Sequence, residues 1–195
     1  MISKIANLLK DEISSVTWVE TIGGLAKATK TAGLNNTEII IPTCKNVSSA
    51  CDNSDLKSLV PTSVKKSVLF FEAEPAIAEK NMINHVEWSV NIKLLVWVNY
   101  KLIDQDMVEP SRLILDILHN MPTTLPNVPN YLNGMVLEYV GQNENKEDMF
   151  NKYTFFEKET QYVTYPYDCF SLTFNVSFRT PKICLDDTEL DPTVC

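Results

Sequence analysis

The feature that most constrains the fold is an unbroken alternation within residues 86–103. Trp88, Val90, Ile92, Leu94, Val96, Val98 and Tyr100 fall on one side, and Glu87, Ser89, Asn91, Lys93 and Asn99 on the other. A period of two belongs to a β-strand with one face in a core. The run far exceeds an average strand of about 5–6 residues, which predicts a strand that outruns its sheet. Leu95 and Trp97 make its middle apolar on the polar side as well. The sheet is therefore expected to be covered twice there, by a helix on one face and by something else on the other.

The rest of the chain supplies elements to surround that strand. Ile2, Ile5, Leu8, Leu9, Ile13 and Val16 form one stripe over residues 2–16, the spacing of an amphipathic helix. A short extended piece at 17–22 is expected to end in a turn at Gly23-Gly24. Residues 37–42 read as a strand stopped by Pro42, and 67–73 as another, ended by Pro75. Between them, 43–66 is a long polar excursion, and loops of that length usually carry function. Pro110 suits the first turn of a helix, whose stripe is Leu113, Ile114, Ile117 and Leu118.

A connector with Pro122, Pro126 and Pro129 leads to a strand around 135–140. A polar turn over 141–152 and a further strand over 153–163 follow. Phe170, Leu172, Phe174, Val176 and Phe178 then alternate with polar residues in a second half-buried strand. The acidic tail 186–195 is expected to be loose. Two helices cannot alternate with six or so strands in a parallel fold. The expected class is α+β: a mostly antiparallel or mixed sheet with two main helices packed on one face and long inserted loops. One domain is expected over residues 1–185.

Composition excludes several functions. With 45% hydrophobic and 22% charged residues, the chain is in the globular range. Its longest apolar run, Leu94 to Val98, is far short of the roughly 20 residues that span a bilayer. The charged N-terminus reads as neither signal peptide nor anchor. Net charge is −8, and the seventeen basic residues include only two arginines, Arg112 and Arg179, with no basic run. That balance argues against sequence-specific nucleic-acid binding. The five cysteines are expected to be reduced thiols, since an odd count in a non-secreted chain makes a poor disulfide framework. Cys44 and Cys51 lie too far apart for a metal knuckle.

The search for chemistry finds little. His85 precedes a strand, and His119 sits at a helix end, where it complements the dipole. Neither has a nucleophile or further ligands beside it in sequence. Five glycines supply no phosphate loop, and no serine lies in a nucleophile elbow. Glu72 and Glu74 share one side of a strand end. They are the most tempting acids for acid–base work, with His85 near them in sequence, although charged strand edges are routine. No catalytic residue, cofactor or metal is expected.

Protein contacts fit the irregular segments better. In 43–66 the candidates are Cys44, Asn46, Val47, Cys51, Leu56 and Leu59; in the proline connector they are Leu125, Val128 and Tyr131. The aromatic cluster that contains Tyr153, Phe155 and Phe156 also holds Tyr162, Tyr165 and Tyr167. Tyrosine and phenylalanine either fill a core or anchor an interface.

In its order of elements the chain resembles the tail terminator (tail completion) proteins of tailed bacteriophages and their neck-protein relatives. The matching order is an N-terminal amphipathic helix, strands at 38–41 and 68–73, and the long strand 86–103. The proline-started helix 110–120 and the late strand 170–179 complete it. The resemblance spans residues 1–182 and rests on no diagnostic motif. It implies a virion protein that forms a ring of identical subunits, six- or twelve-fold, at the head–tail junction, assembled in the bacterial host cytoplasm. It implies portal-side connector and tail proteins as partners, no enzyme activity, no membrane, and a channel whose acidic wall lets DNA pass without sticking. The segments 43–66 and 122–167 depart from the compact family pattern. The alternative is a small-ligand or peptide-binding domain using Glu72 and Glu74.

Overall fold

The computed structural model describes residues 1–32, 37–45, 56–103, 109–122, 124–125, 128–145, 149–154 and 164–186. Helix α1 (Ile2–Ile13) is followed by strands β1 (Thr21–Leu25), β2 (Lys27–Ala32), β3 (Glu38–Lys45), β4 (Leu56–Ser58), β5 (Ser67–Ala73), β6 (Ile77–Asn81) and β7 (His85–Asn99). Helix α2 (Pro110–Asn120), a 3₁₀ turn (Asn130–Leu132), β8 (Asn133–Asn143), β9 (Tyr167–Pro181) and a short α3 (Ile183–Asp186) complete the described chain. The architecture is α+β, as the sequence predicts.

The larger sheet runs β1-β5-β7-β9-β8, with β6 also on β7. Only the β1–β5 pair is parallel. All fifteen residues of β7 pair in register with all fifteen of β9, from His85 opposite Pro181 to Asn99 opposite Tyr167. The long strand therefore does not outrun its sheet. Its C-terminal half is flanked by β5 and its N-terminal half by β6.

Residues directly opposite one another share a face, so register sorts the two faces. On one lie Val90, Ile92, Leu94, Val96 and Val98 of β7 with Leu172, Phe174 and Val176 of β9, all buried. Helix α1 packs against β1 and β5 and also touches α2. Its stripe of Ile5, Ala6, Leu9 and Ile13 is buried, as are Leu113, Ile114 and Ile117 of α2. Trp18 Nε1 donates to Asp116 Oδ2 at 3.2 Å and ties the exit of α1 to α2. Glu109 before Pro110 is extended (φ −103°, ψ 127°), as a residue preceding proline must be to start a helix cleanly.

The second cover over Leu95 and Trp97 is a three-stranded sheet, β2-β3-β4, with the turn at 149–154. Phe150, tilted, and Tyr153, edge-on, pack against Phe70 with ring centroids 6.4 and 6.0 Å apart, and Phe70 lies opposite Leu95. Ile40 N–H donates to Thr154 Oγ1 at 2.8 Å, linking the small sheet to that turn. Gly23 and Gly24 sit inside β1, which pairs with β5, rather than in a turn, and each lies close under a neighbouring layer. A β-carbon on Gly24 would strike the Asn7 amide of α1, and one on Gly23 would lie 2.8 Å from Leu59 Cδ1 and 3.1 Å from Cys44 Sγ.

Pro42 does not stop β3 either. It pairs with Ala28, and its carbonyl accepts from Leu59 N–H at 2.9 Å, so only its missing N–H is lost from the ladder. The excursion 43–66 thus holds the end of β3, all of β4 and a fully buried Leu59. The first residues of the expected strand 153–163, Tyr153 and Thr154, are not strand. The rest of it lies outside the described residues, as does nearly all of the tail.

Candidate functional site

Away from the second cover, the far face of the larger sheet is open. Four strands, β6-β7-β9-β8, carry polar side chains there: Glu87, Ser89, Asn91 and Lys93 of β7 lie opposite Arg179, Ser177, Asn175 and Thr173 of β9. The residues form ladders across the strands. Asn175 Nδ2 donates to Ser89 Oγ at 3.0 Å and to Asn91 Oδ1 at 3.1 Å.

At the upper end of this face is a recess of about 300 Å³ lined by Glu72, Glu74, Asn91, Lys93, Lys152 and Thr173 among others. Here the structure brings Glu72 and Glu74 together on one side of β5, but it does not leave Glu72 free. Lys152 Nζ and Tyr153 OH each donate to it at 2.7 Å, and Asn91 Nδ2 donates to Glu74 at 3.0 Å. Burial, reinforced by the Glu72 carboxylate that accepts its proton, pushes the Tyr153 phenol well above its usual range. A carboxylate held this way fastens the turn at 149–154 to the sheet. His85 is no neighbour of the pair. Glu72 is paired with Lys93, eight positions along β7 from His85, or roughly 26 Å at strand spacing.

The lower end holds a charge cluster that the sequence did not single out. Arg179 Nε lies 3.1 Å from Glu87 Oε1, Lys80 Nζ 3.7 Å from Oε2, and His85 Nε2 3.7 Å from Oε1. Partial burial pushes the Glu87 carboxyl up, but Lys80, Arg179 and His85 outweigh it and hold it below the usual range. The alternation of 86–103 already placed Glu87 on the polar face, with His85 two positions before it on the same strand. Lys80 and Arg179 come from β6 and β9 and carry no signal in sequence.

The expected interface residues scatter. Cys44, Leu59 and Leu125 are buried in the core and offer a partner no surface. Burial also pushes the Cys44 thiol up, against the nearby Lys57 and Lys10. Leu56 is half-buried on β4. Val128 and Tyr131 pack against the core, and the Tyr131 carbonyl accepts from Thr180 Oγ1 at 2.9 Å. Tyr167 stacks on Trp97 at 5.4 Å. Tyr165 alone of these is open, 82% exposed. Asn46, Val47, Cys51 and Tyr162 lie outside the described residues. One expectation about cysteine is corrected: Cys44 and Cys169 are in the thiol form, but Cys184 is disulfide-bonded. Sequence spacing could not show that, because a disulfide needs two cysteines close in space.

Among the described residues no three His, Cys, Asp or Glu side chains converge as metal ligands would, and no helix is long and apolar enough to cross a membrane. No protein-family model matches this chain, and no characterised protein is significantly similar to it in sequence.

Proposed function

We propose that the chain is a structural subunit of a tailed-bacteriophage virion, one of a ring of identical copies at the head–tail junction, with a channel through which DNA passes. The observation that carries the reading is the open, ladder-bonded face of β6-β7-β9-β8, backed on its other side by buried apolar residues. A broad, rigid, solvated sheet suits contact with other proteins more than enclosure of a small molecule. The order of elements, with α1 first, the long β7 central and α2 opened by proline, matches the resemblance noted in the sequence. A net charge of −8 suits a wall that repels a passing duplex.

Light scattering on the purified protein, alone and with purified virion necks, tests this. A ring-sized mass, or a monomer that joins a ring on necks, supports it. A monomer indifferent to any particle component ends it. The recess at Glu72 and Glu74 favours a second reading, a polar small-ligand site. Under that reading, a thermal-shift panel of metabolites finds a ligand whose effect disappears when Glu72→Gln and Glu74→Gln are combined.

A further inference from the structure

The four strands of the open face end in two free edges among the described residues, the outer sides of β6 and β8. The edges of the molecule differ in how they are protected. β2 is an edge of the small sheet and carries Lys27 and Lys30, the charges that usually keep an edge from pairing with another chain. β8 is eleven residues long with one charge, Glu138, and leaves Val136, Tyr139 and Val140 49%, 40% and 61% exposed. All five residues of β6 are exposed, Ile77 at 62%; β6 also carries Glu79 and Lys80. Both β6 and β8 pair with their inner neighbours through irregular registers, and Ile77 and Val136 are apolar positions that these edges leave open.

Register connects these exposed residues. Ile77 lies opposite Ser89, Ser89 opposite Ser177, and Ser177 opposite Val136. One cross-strand row therefore runs from an apolar residue on one edge, through two serines, to an apolar residue on the other. Strand direction is equally suited to repetition. β6, β7, β9 and β8 alternate in direction, so a second copy set alongside in the same orientation presents β6 antiparallel to β8. Val136 of one copy then meets Ile77 of the next, and the outer N–H and C=O groups of β6 pair with those of β8 around Val136. The pairing is confined to the rows of β6, because beside β5 the same lateral position is held by β1.

From this we infer that β8 of one subunit pairs with β6 of the next, head to tail, through the Val136–Ile77 contact. Such a contact is not self-complementary, so it generates rings or filaments rather than two-fold dimers. The inference rests on the ring reading and specifies the surface that builds it.

Two single variants, Val136→Glu and Ile77→Lys, test the junction, together with the double variant that carries both. Both sites are exposed, so the thermal midpoints are expected to stay within a few degrees of the parent. Each single variant is expected to weaken self-association at least tenfold, until light scattering reports the 22.1 kDa chain. The double variant, with opposite charges across the junction, recovers much of the assembly. Pairing of β8 with β8 about a two-fold axis would leave Ile77→Lys without effect, and that result overturns the inference. So does a parent protein that is monomeric both alone and on necks, a result that also removes the ring reading. An assembly that both single variants disrupt, but that ignores virion necks, upholds the junction and removes only the location.

Discussion

At the residue scale, Glu72 is the side chain on which most depends. It is the shared acceptor for Lys152 and Tyr153, and with 11% of its side chain exposed it has little water to replace them. Glu72→Ala leaves a buried phenol without its acceptor and is expected to cost about 1–3 kcal/mol in urea denaturation. Lys152→Ala, at an ammonium that is 63% exposed, should cost less than about 1 kcal/mol. Equal losses from the two variants would mean that Tyr153 gains nothing from the carboxylate. The raised pKa of Tyr153 also has a definite sign. The folded state holds the phenol proton more tightly than the unfolded chain does. Its contribution is therefore complete below the ordinary tyrosine value of about 10 and is lost as pH climbs beyond it. Tyr100, raised by burial and by Asp168, which accepts from its hydroxyl at 3.0 Å, acts in the same direction. Stability of the parent should fall as pH rises above about 10, and Tyr153→Phe should make that fall shallower. Parallel curves for the two proteins would show that the phenol has no part in it.

At the scale of elements, the two glycines of β1 mark where two layers press on one strand. Gly24→Val drives a side chain into Asn7 of α1, an overpacking expected to cost about 1–3 kcal/mol. Adding Asn7→Ala should return part of that loss, and strictly additive effects in the double variant would show that the two positions do not touch. The same strand shows what the sequence could and could not disclose. The N-terminal half of β7, α2 and β9 were legible because each is buried on one side and exposes its period, while β5, buried on both faces over its first five residues, was legible as a short apolar run closed by Pro75. β2 (Lys27–Ala32) and β6 (Ile77–Asn81) lie on sheet edges with nearly every side chain in water, so no alternation betrays them. Gly23-Gly24 and Pro42 have the chemistry of turns and breaks, and only packing against α1, Leu59 and β4 keeps them in strands. Leu59 looked like a loop residue because the segment 43–66 around it is rich in Ser, Asn, Asp and Lys, while its neighbours in space are Gly23 and the core.

For the whole molecule, both sheets and both main helices contribute to one apolar core, which joins Cys44 and Leu59 to Phe70, Trp97, Leu9 and Ile117. A shared core predicts one cooperative transition. Tryptophan fluorescence, from Trp18, Trp88 and Trp97, and far-ultraviolet circular dichroism should give the same urea midpoint. Two separated midpoints would show that the small sheet melts by itself. At this scale the candidate site was the least legible in sequence. The Glu72–Glu74 pairing was visible from their spacing, but Lys152 and Tyr153, which occupy Glu72, come from some 80 residues further along the chain. Nothing in local pattern connects them.

The full-length pairing of β7 with β9 also sets an order in time. Residues 100–166 separate the two strands, and ribosomes add about 5–20 residues per second. The apolar side of β7 therefore waits several seconds for its long partner while α2 and β8 are still being made. β5 and β6, both already synthesised, can take one edge of β7, and α1 can shelter part of its face. The other edge stays open until β9 emerges, which makes the nascent chain most prone to pair with a neighbour in the interval between the two strands.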